Sequence, residues 1–228
     1  SYPARNWCWE DSIQKGHEWH FLFDDNIRGF YKLREGERVN CNALPALLTL
    51  QNFVERYENL DLAGYNYGYF AGKWTKKPFY INTHVYSGML IKNSIPQRWR
   101  LKYNEDVDLN LQILHNRRCT ALLNAYLIKK TSTVAKMKGG NQTELYKNND
   151  PKKKILKSRS LELVWPKYVR VVKRYGRPHH QVSWTKFFKH PLKKVANFDE
   201  IIERQREEAK LIADMEVLKF PKKRRSNG

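Results

Sequence analysis

Hydrophobic and polar positions divide most of the chain into alternating strand-like and helix-like segments. Apolar runs typical of strands lie at residues 17–23, 62–70, 80–91 and 119–128, and apolar residues at helical spacing mark residues 9–15, 42–57 and a segment that starts after Asn104. Gly16 follows the first helical segment as a stop signal, and Asn104 has the residue type of a helix N-cap. This alternation predicts an α/β fold.

From Thr131 onward the chain is more polar, and the pattern is weaker. Residues 148–159 are strongly basic and predict a mobile loop or a phosphate-contacting arm. After them the pattern predicts a strand at 161–172, a loop at 176–180 and a charged helix at 199–220. We therefore expect a main domain over residues 1–190, a C-terminal helix over 191–220 and a basic, disordered tail over 221–228.

The charge balance narrows the class of partner. The 228 residues contain 43 Lys and Arg against 23 Asp and Glu, a net charge of +20. Such an excess favours a polyanion, and DNA or RNA more than an anionic membrane. The alternative is a basic protein that has no such partner.

Cysteine usage and hydropathy bear on the compartment. Cys8, Cys41 and Cys119 are widely spaced and form no CxxC pair, so we expect reduced thiols and neither a disulfide framework nor a zinc knuckle. The sequence has no apolar stretch of the roughly 20 residues that a membrane span needs, and no signal-peptide pattern. We expect a cytoplasmic protein. The chain begins at Ser1 rather than Met, which suggests a trimmed or fused segment.

Two acidic clusters stand out against this basic background. Asp24 and Asp25 follow the first strand, where carboxylates can bind Mg²⁺ or Mn²⁺ together with substrate phosphates. The alternative is an Asx-turn or a helix cap. Glu105, Asp106 and Asp108 lie in the first turn of a predicted helix, where negative charge is stabilising in itself. A carboxylate there could also take a proton from an attacking hydroxyl.

Three further motifs could contact a ligand. His179 and His180 lie in the predicted loop, and one of them could bind a metal or a phosphate, although a surface or core histidine is the alternative. The glycine-rich segment 138–141 could offer backbone N–H groups to a phosphate, but it lacks the spacing of a Walker loop. The aromatic residues of 65–74 could stack on sugars or bases, or pack in the core.

Several of these segments occur in an order that resembles a known family. They read ARNWCWEDSIQKGHEWHFLFDDNI, LAGYNYGYF, NTHVYSGMLI, YNEDVDLNLQIL, KGGN and RYGRPHH. Over about residues 4–184 the chain is similar to the TET/JBP-associated glycosyltransferases, GT-A-type enzymes found largely in phages and related to the base J glucosyltransferase. The resemblance implies a GT-A-like fold. Such folds normally begin with nucleotide-binding strand–helix units, and only residues 1–16 precede the first strong strand here. Part of the N-terminal half would then be absent, or donor binding would be completed from outside the chain.

The resemblance also implies a reaction. The family transfers a sugar from a nucleotide-sugar, which we expect to be a UDP-sugar, to the hydroxymethyl group of 5-hydroxymethylcytosine or 5-hydroxymethyluracil in DNA. The transfer would depend on Mn²⁺ or Mg²⁺ and invert the anomeric centre. Hydroxymethylated DNA and the nucleotide-sugar would be the partners, in the host cytoplasm if a phage encodes the chain.

The matching positions receive roles from the same resemblance. Asp24, Asp25 and Asn26 match the DxD-type motif; because its third position is Asn26, Asp25 would carry more of the metal contact. Asp106 matches the catalytic acidic residue. The remaining assignments are His180, or else His179, as the late metal ligand, Arg5, Asn6 and Asp24 at the donor, and Lys138, Gly139, Gly140 and Asn141 at its phosphates.

Three other functions are compatible with the residues alone. Clustered carboxylates could hold metal ions in a nuclease or another phosphoryl-transfer enzyme. The chain could also be a non-catalytic nucleic-acid-binding module in which the acidic residues only cap helices. A glycosyltransferase that acts on protein or glycan is the third alternative.

Overall fold

The computed structural model describes residues 2–130, 151–174 and 176–218, and these residues form a mixed α/β fold. The predictions for residues 138–141 and for the tail 221–228 lie outside the described residues. In chain order the elements are α1 (Tyr2–Gln14), β1 (Trp19–Phe23), β2 (Ile27–Arg34), β3 (Glu37–Cys41), α2 (Ala43–Val54), β4 (Leu60–Tyr67), a 3₁₀ turn (Gly68–Phe70), β5 (Phe79–Ile81), β6 (Gly88–Lys92), α3 (Glu105–His115), β7 (Cys119–Lys130), α4 (Pro151–Val164), β8 (Val169–Arg174), β9 (Arg177–Val182), a second 3₁₀ turn (Trp184–Phe187) and α5 (Phe198–Leu218). None of the described helices is long and apolar enough to cross a bilayer.

The main sheet has seven strands in the order β1-β6-β4-β7-β2-β3, with β5 paired to β7 beside β2. β4 and β7 are parallel, and every other pair in the sheet is antiparallel. Since β6 is antiparallel to both β1 and β4, the strands β1, β4 and β7 all run in the same direction. Their carboxyl ends therefore lie along one edge of the sheet.

The core lies on both faces of this sheet. Residues 60–66 of β4 are all buried, as expected for a central strand covered on two sides. Alternation along β4 directs Leu62 towards α1 and α3, and Ala63 and Tyr65 towards α2. A third cluster joins the outer side of α3 to α4 and the β8–β9 hairpin. Central members of the three clusters are Leu50 and Phe53, Trp9 and Met89, and Leu111 and Leu161.

The β2–β3 hairpin was not predicted from the sequence. Its connecting turn consists of Glu35 and Gly36, which both have positive φ (49° and 82°), the geometry that matches the twist of a tight hairpin. β3 is exposed along most of its length, so it has no apolar alternation to detect. The remaining signal was the short polar pair with its glycine.

Two predictions for the C-terminal third were wrong. Residues 151–164 form the helix α4, where we expected a basic loop and the start of a strand. Ser158 and Leu161 are buried one turn apart, but the surrounding charges concealed this spacing. Residues 177–182 form the strand β9 instead of a loop, and Gly176 (φ 71°) makes the turn from β8.

Other boundaries agree better. The helices at 42–57 and 199–220 are confirmed as α2 and α5, and the strand at 119–128 is confirmed as β7. α1 begins at Tyr2, earlier than predicted. Asn104 precedes α3 as expected, but its left-handed backbone (φ 55°) makes no side-chain cap; its amide instead donates to the Lys157 carbonyl of α4 at 2.7 Å.

Candidate active site

Polar side chains meet where the parallel strands of the main sheet end. Asp24 follows β1, Tyr67 is the last residue of β4, and Lys130 is the last residue of β7. Ser87 joins them from the adjacent start of β6, and its carbonyl accepts the Asp24 N–H at 2.8 Å. The carboxyl edge of an α/β sheet is the usual position of a ligand site, so this edge is the first candidate.

Lys130 is the centre of the group at the strand ends. Its ammonium donates to Ser87 Oγ at 2.6 Å, Asp24 Oδ2 at 3.0 Å and Tyr67 Oη at 3.2 Å. Burial lowers the pKa of Lys130, but Tyr67 and Asp24 outweigh this and hold it above its ordinary value. The side chain is only 10% exposed and stays charged, so it places a fixed positive charge at the sheet edge.

Arg5 of α1 joins the two acidic clusters. Its Nη2 lies 3.2 Å from Asp24 Oδ1 and 3.6 Å from Glu105 Oε1, and its guanidinium lies 4.7 Å from the Trp99 ring centroid. Its other terminal nitrogen, Nη1, is buried and has no hydrogen-bond partner among the described residues. The acidic clusters are thus neighbours in space, and an unused donor lies beside them.

The carboxylates of Glu105 and Asp106 have opposite environments. Burial and the neighbouring charge of Asp106 raise the pKa of Glu105 above its ordinary value. Burial also acts to raise the pKa of Asp106, but His84, the Val107 N–H and Arg5 outweigh it and hold that pKa well below the usual range. Asp106 Oδ2 is 3.0 Å from His84 Nε2, and Oδ1 accepts the Val107 N–H at 2.9 Å.

Asp108, in contrast, lies in the protein core. Its carboxylate is fully buried and accepts hydrogen bonds from Arg100 at 2.9 Å, Gln112 at 2.9 Å and the Trp165 indole at 2.7 Å. These partners join α3 to the preceding loop and to the end of α4. The second acidic cluster therefore separates into two residues that meet Arg5 and His84 and one residue in the core.

Aromatic contacts connect the Asp106–His84 pair to Lys130. The His84 ring is edge-on to Tyr86 at 5.1 Å and parallel to Trp184 at 5.7 Å. Tyr86 in turn lies 4.3 Å from Tyr67, which bonds Lys130. The two ends of the site therefore belong to one continuous wall.

The predicted site residues are not all in this wall. Asp25 is exposed, and Asn26 is buried with its side-chain oxygen unpaired among the described residues. Asn6 uses its amide on the main chain of Trp99, at 2.7 and 3.0 Å, and so fastens α1 to the loop before α3. Burial, followed by His179, lowers the pKa of His180 to about 4. The negative charge of Asp106 acts to raise the pKa of His180.

The surroundings of Asp24 bear on the expected metal. Its oxygens already accept from Ser87, Arg5 and Lys130, and two cations within 3.2 Å repel a divalent ion. In the parts of the chain that the structure describes, no three His, Cys, Asp or Glu side chains are grouped closely enough to hold a metal. The residues near Asp24 do not fit a preformed site for Mn²⁺ or Mg²⁺. Metal binding by Asp24, Asp25 and His180 stays a prediction.

The aromatic residues of segment 65–74 are partly buried and partly exposed to solvent. Tyr65 is fully buried, whereas Tyr69, Phe70 and Trp74 are 53%, 55% and 68% exposed. Tyr69 stacks on Tyr67 at 5.0 Å, so exposed rings begin directly beside the Lys130 group.

Comparison with known proteins places this geometry in a family. The model of the TET-Associated Glycosyltransferase (TAGT) family matches residues 1–140, which contain Arg5, Asp24, Asp106 and Lys130. The chain belongs to this family. This TAGT chain is therefore an enzyme, a glycosyltransferase, and its mixed α/β sheet is compatible with a glycosyltransferase-like fold. Neither the curated proteins nor the solved structures include a match.

Sequence reasoning missed several members of the candidate site. His84 and Ser87 lie in the NTHVYSGMLI segment but received no role, and Lys130 lies in none of the quoted segments; the strand order brings all three to Asp24 and Asp106. For Lys130 the available signal was a charged residue at the end of an apolar run. For His84 the signal was its place in the quoted segment, but its position in the connection between β5 and β6 gave no role.

Proposed function

We propose that this TAGT chain transfers a sugar from a UDP-sugar to the hydroxymethyl group of a 5-hydroxymethylpyrimidine in DNA, with inversion at the anomeric carbon. Family membership supports the glycosyl transfer itself.

One observation carries the proposal: the cations Arg5 and Lys130 lie at the same sheet edge as the Asp106–His84 pair. A departing UDP carries a diphosphate whose growing negative charge needs positive groups held in place. Arg5 has a buried unpaired nitrogen, and the charge of Lys130 is fixed by its partners. The Asp106–His84 pair supplies a proton acceptor in the same wall.

The reaction follows as a single displacement. The hydroxymethyl oxygen attacks the anomeric carbon and forms the new C–O bond, while the bond from that carbon to the β-phosphate oxygen breaks. UDP leaves with the bonding electron pair, which Arg5 and Lys130 stabilise. The proton of the hydroxymethyl group passes to the basic pair around Asp106. The attacking hydroxymethyl oxygen and the departing UDP must lie on opposite faces of the anomeric carbon, and inversion results.

The charge of the chain supports DNA as the acceptor. A net charge of +20 favours binding to phosphate backbones, and such binding weakens as salt rises. A hydroxymethyl group on a stacked base cannot reach a wall of side chains, so the target base must be flipped out or single-stranded. The exposed rings of Tyr69 and Phe70 beside the site could stack on such a base.

Mn²⁺ or Mg²⁺ would add to the positive charge that Arg5 and Lys130 supply. When bound, Mn²⁺ or Mg²⁺ would help to neutralise the diphosphate. Asp24 would have to exchange present neighbours for the ion, because Arg5 and Lys130 already flank it. The proposed transfer therefore uses only the chain's own cations, and metal dependence is left to direct titration.

Mass spectrometry of hydroxymethylated oligonucleotides tests the proposal. The full chain is incubated with a panel of UDP-sugars, with and without Mn²⁺, and with either hydroxymethylcytosine or hydroxymethyluracil in single- and double-stranded DNA. We expect a mass gain of one sugar on the modified base. Asp106→Asn should lower the rate by about 10²–10⁴-fold while UDP affinity stays near that of the wild type.

Other outcomes contradict the proposal. Cleavage of plain DNA without any nucleotide-sugar would indicate a phosphoryl-transfer enzyme. Sugar transfer to protein or glycan, with none to hydroxymethylated DNA, would remove the acceptor. A fully active Asp106→Asn variant would remove the assignment of the base.

A further inference from the structure

We propose that Nδ1 of His84 accepts the proton during the transfer, and that the Asp106 carboxylate orients the His84 ring. This inference rests on the proposed function and deepens it. It assigns a catalytic role to a histidine that neither the sequence motifs nor the family resemblance identified.

Asp106 itself is poorly suited to take the proton. One of its oxygens contacts His84 Nε2 at 3.0 Å and the other accepts the Val107 N–H at 2.9 Å. These contacts, against the effect of burial, hold the pKa of Asp106 well below its usual range. A carboxylate that is so strongly stabilised in its ionised form has little tendency to deprotonate an alcohol.

The imidazole of His84 is held in a defined orientation. Its Nε2 faces Asp106, so the neutral ring carries its proton there and leaves a lone pair on Nδ1. Trp184 lies parallel to the ring at 5.7 Å with an interplanar angle of 8°, and Tyr86 contacts it edge-on at 5.1 Å. A carboxylate, a histidine and a free ring nitrogen in this order form the arrangement of an oriented general base.

The acceptor nitrogen is open to a ligand. No described residue bonds His84 Nδ1, and this atom is not among the buried polar atoms that lack a partner. The side chain as a whole is 27% exposed. Among the described residues, Nδ1 therefore has no hydrogen-bond partner, whereas Nε2 is committed to Asp106.

The surrounding charged groups favour His84 over the other histidines. His180, from β9, is close to the pair, but burial and His179 lower its pKa to about 4, which makes it a weak base. Lys157 of α4 also acts on His180, and Arg5 acts on Asp106 from α1. Glu105 precedes Asp106 and is paired with Arg5. Asp106 is thus the carboxylate in contact with the His84 ring.

The proton balance is simple. As the hydroxymethyl oxygen bonds to the anomeric carbon, its proton moves to His84 Nδ1, and the leaving UDP takes the electrons of the broken C–O bond. The resulting imidazolium is stabilised by the negative charge of Asp106. It returns the proton to solvent after the products dissociate.

Steady-state sugar transfer by His84→Gln, Asp106→Asn and the double variant tests the assignment. We expect each single variant to lower kcat by about 10²–10⁴-fold, with little change in KM for the UDP-sugar. The double variant should lose little more than either single one, because the two residues act as one unit. His115→Gln is the matched control: it removes an exposed histidine at the far end of α3 and should leave kcat unchanged.

Two readouts separate chemistry from folding. Imidazole added to His84→Ala should restore part of kcat, an effect that a merely structural histidine would not show. UDP binding and thermal melts establish that each variant is folded.

The possible failures are distinguishable. If the wild type transfers sugar and His84→Gln keeps its kcat while Asp106→Asn loses it, Asp106 is the base and this inference is overturned. Failure of imidazole to rescue a folded His84→Ala would likewise count against it. If the wild type transfers no sugar to hydroxymethylated DNA from any UDP-sugar, the proposed function fails, and this inference falls with it.

Discussion

Replacing Asp108 by asparagine should destabilise the fold strongly, although Asp108 lies only two residues from Asp106 of the proposed catalytic pair. The carboxylate is fully buried and bonds Arg100 through both oxygens, at 2.9 Å each, as well as Gln112 and the Trp165 indole. Asparagine keeps the size of the side chain but removes the charge. Its NH₂ group would also face the donors of Arg100 or Gln112, so at least one buried hydrogen bond would be lost.

The magnitude follows from the cost of breaking a buried ion pair. Removing one partner of such a pair costs about 3–5 kcal/mol, because the other charge is left without compensation. Arg100 is about half exposed and can be partly rehydrated, so the lower end of that range is expected. For a chain of this size, a loss of about 3 kcal/mol lowers Tm by roughly 6–12 °C, at about 2–4 °C per kcal/mol.

Urea unfolding followed by tryptophan fluorescence measures this loss. The matched control is Glu10→Gln, which breaks a pair with Arg98 of similar length, 2.8 Å, whose carboxylate is 52% exposed. Exposed pairs contribute about 1 kcal/mol or less. If Asp108→Asn costs no more than Glu10→Gln at equal m-value, the argument that Asp108 is a buried structural anchor is refuted.

Two further predictions concern the candidate active site. Asp25→Ala should abolish any Mn²⁺-dependent gain in UDP affinity, measured by calorimetry, if the exposed Asp25 carries the metal; an undiminished gain would place the metal elsewhere. Glu105→Gln should gain stability relative to the wild type as pH rises. The pKa of Glu105 is raised in the folded state, so the wild-type contribution is fully present below the ordinary glutamate pKa and is lost as pH rises through the folded value. A stability difference between the two proteins that is independent of pH would contradict this.

The sequence was most informative where a local pattern meets a strong apolar segment. The strand that ends before Asp24 and the helix that begins at Glu105 were both predicted, because each combines an apolar run with a polar boundary. The position of the acidic residues at the ends of these elements followed directly. Their proximity to each other depended on the strand order, in which β6 separates β1 from β4, and no local pattern contains that information.

The misses have a common physical cause. In α4 the basic residues made the segment up to residue 159 look like a solvated loop and left Leu161 to be taken as the start of a strand, because the buried side that faces α3 is narrow. In β3 exposure on most of the strand removed the alternation. In both cases tertiary pairing, with α3 or with β2, holds an element whose own sequence gives little signal.

Helix geometry explains how three nearby carboxylates acquire three functions. Successive residues of an α-helix are about 100° apart around its axis, so Asp106 and Asp108 point in nearly opposite directions. Asp106 meets His84 at the candidate site, whereas Asp108 faces the interior and meets Arg100 and Trp165. Glu105 lies between these directions on the remaining side and meets Arg5. The acidic first turn looks uniform in sequence, but its three residues have different roles. Asp108 anchors the core, Glu105 pairs with Arg5, and Asp106 belongs to the proposed Asp106–His84 pair. The position of each residue around the helix axis decides its role.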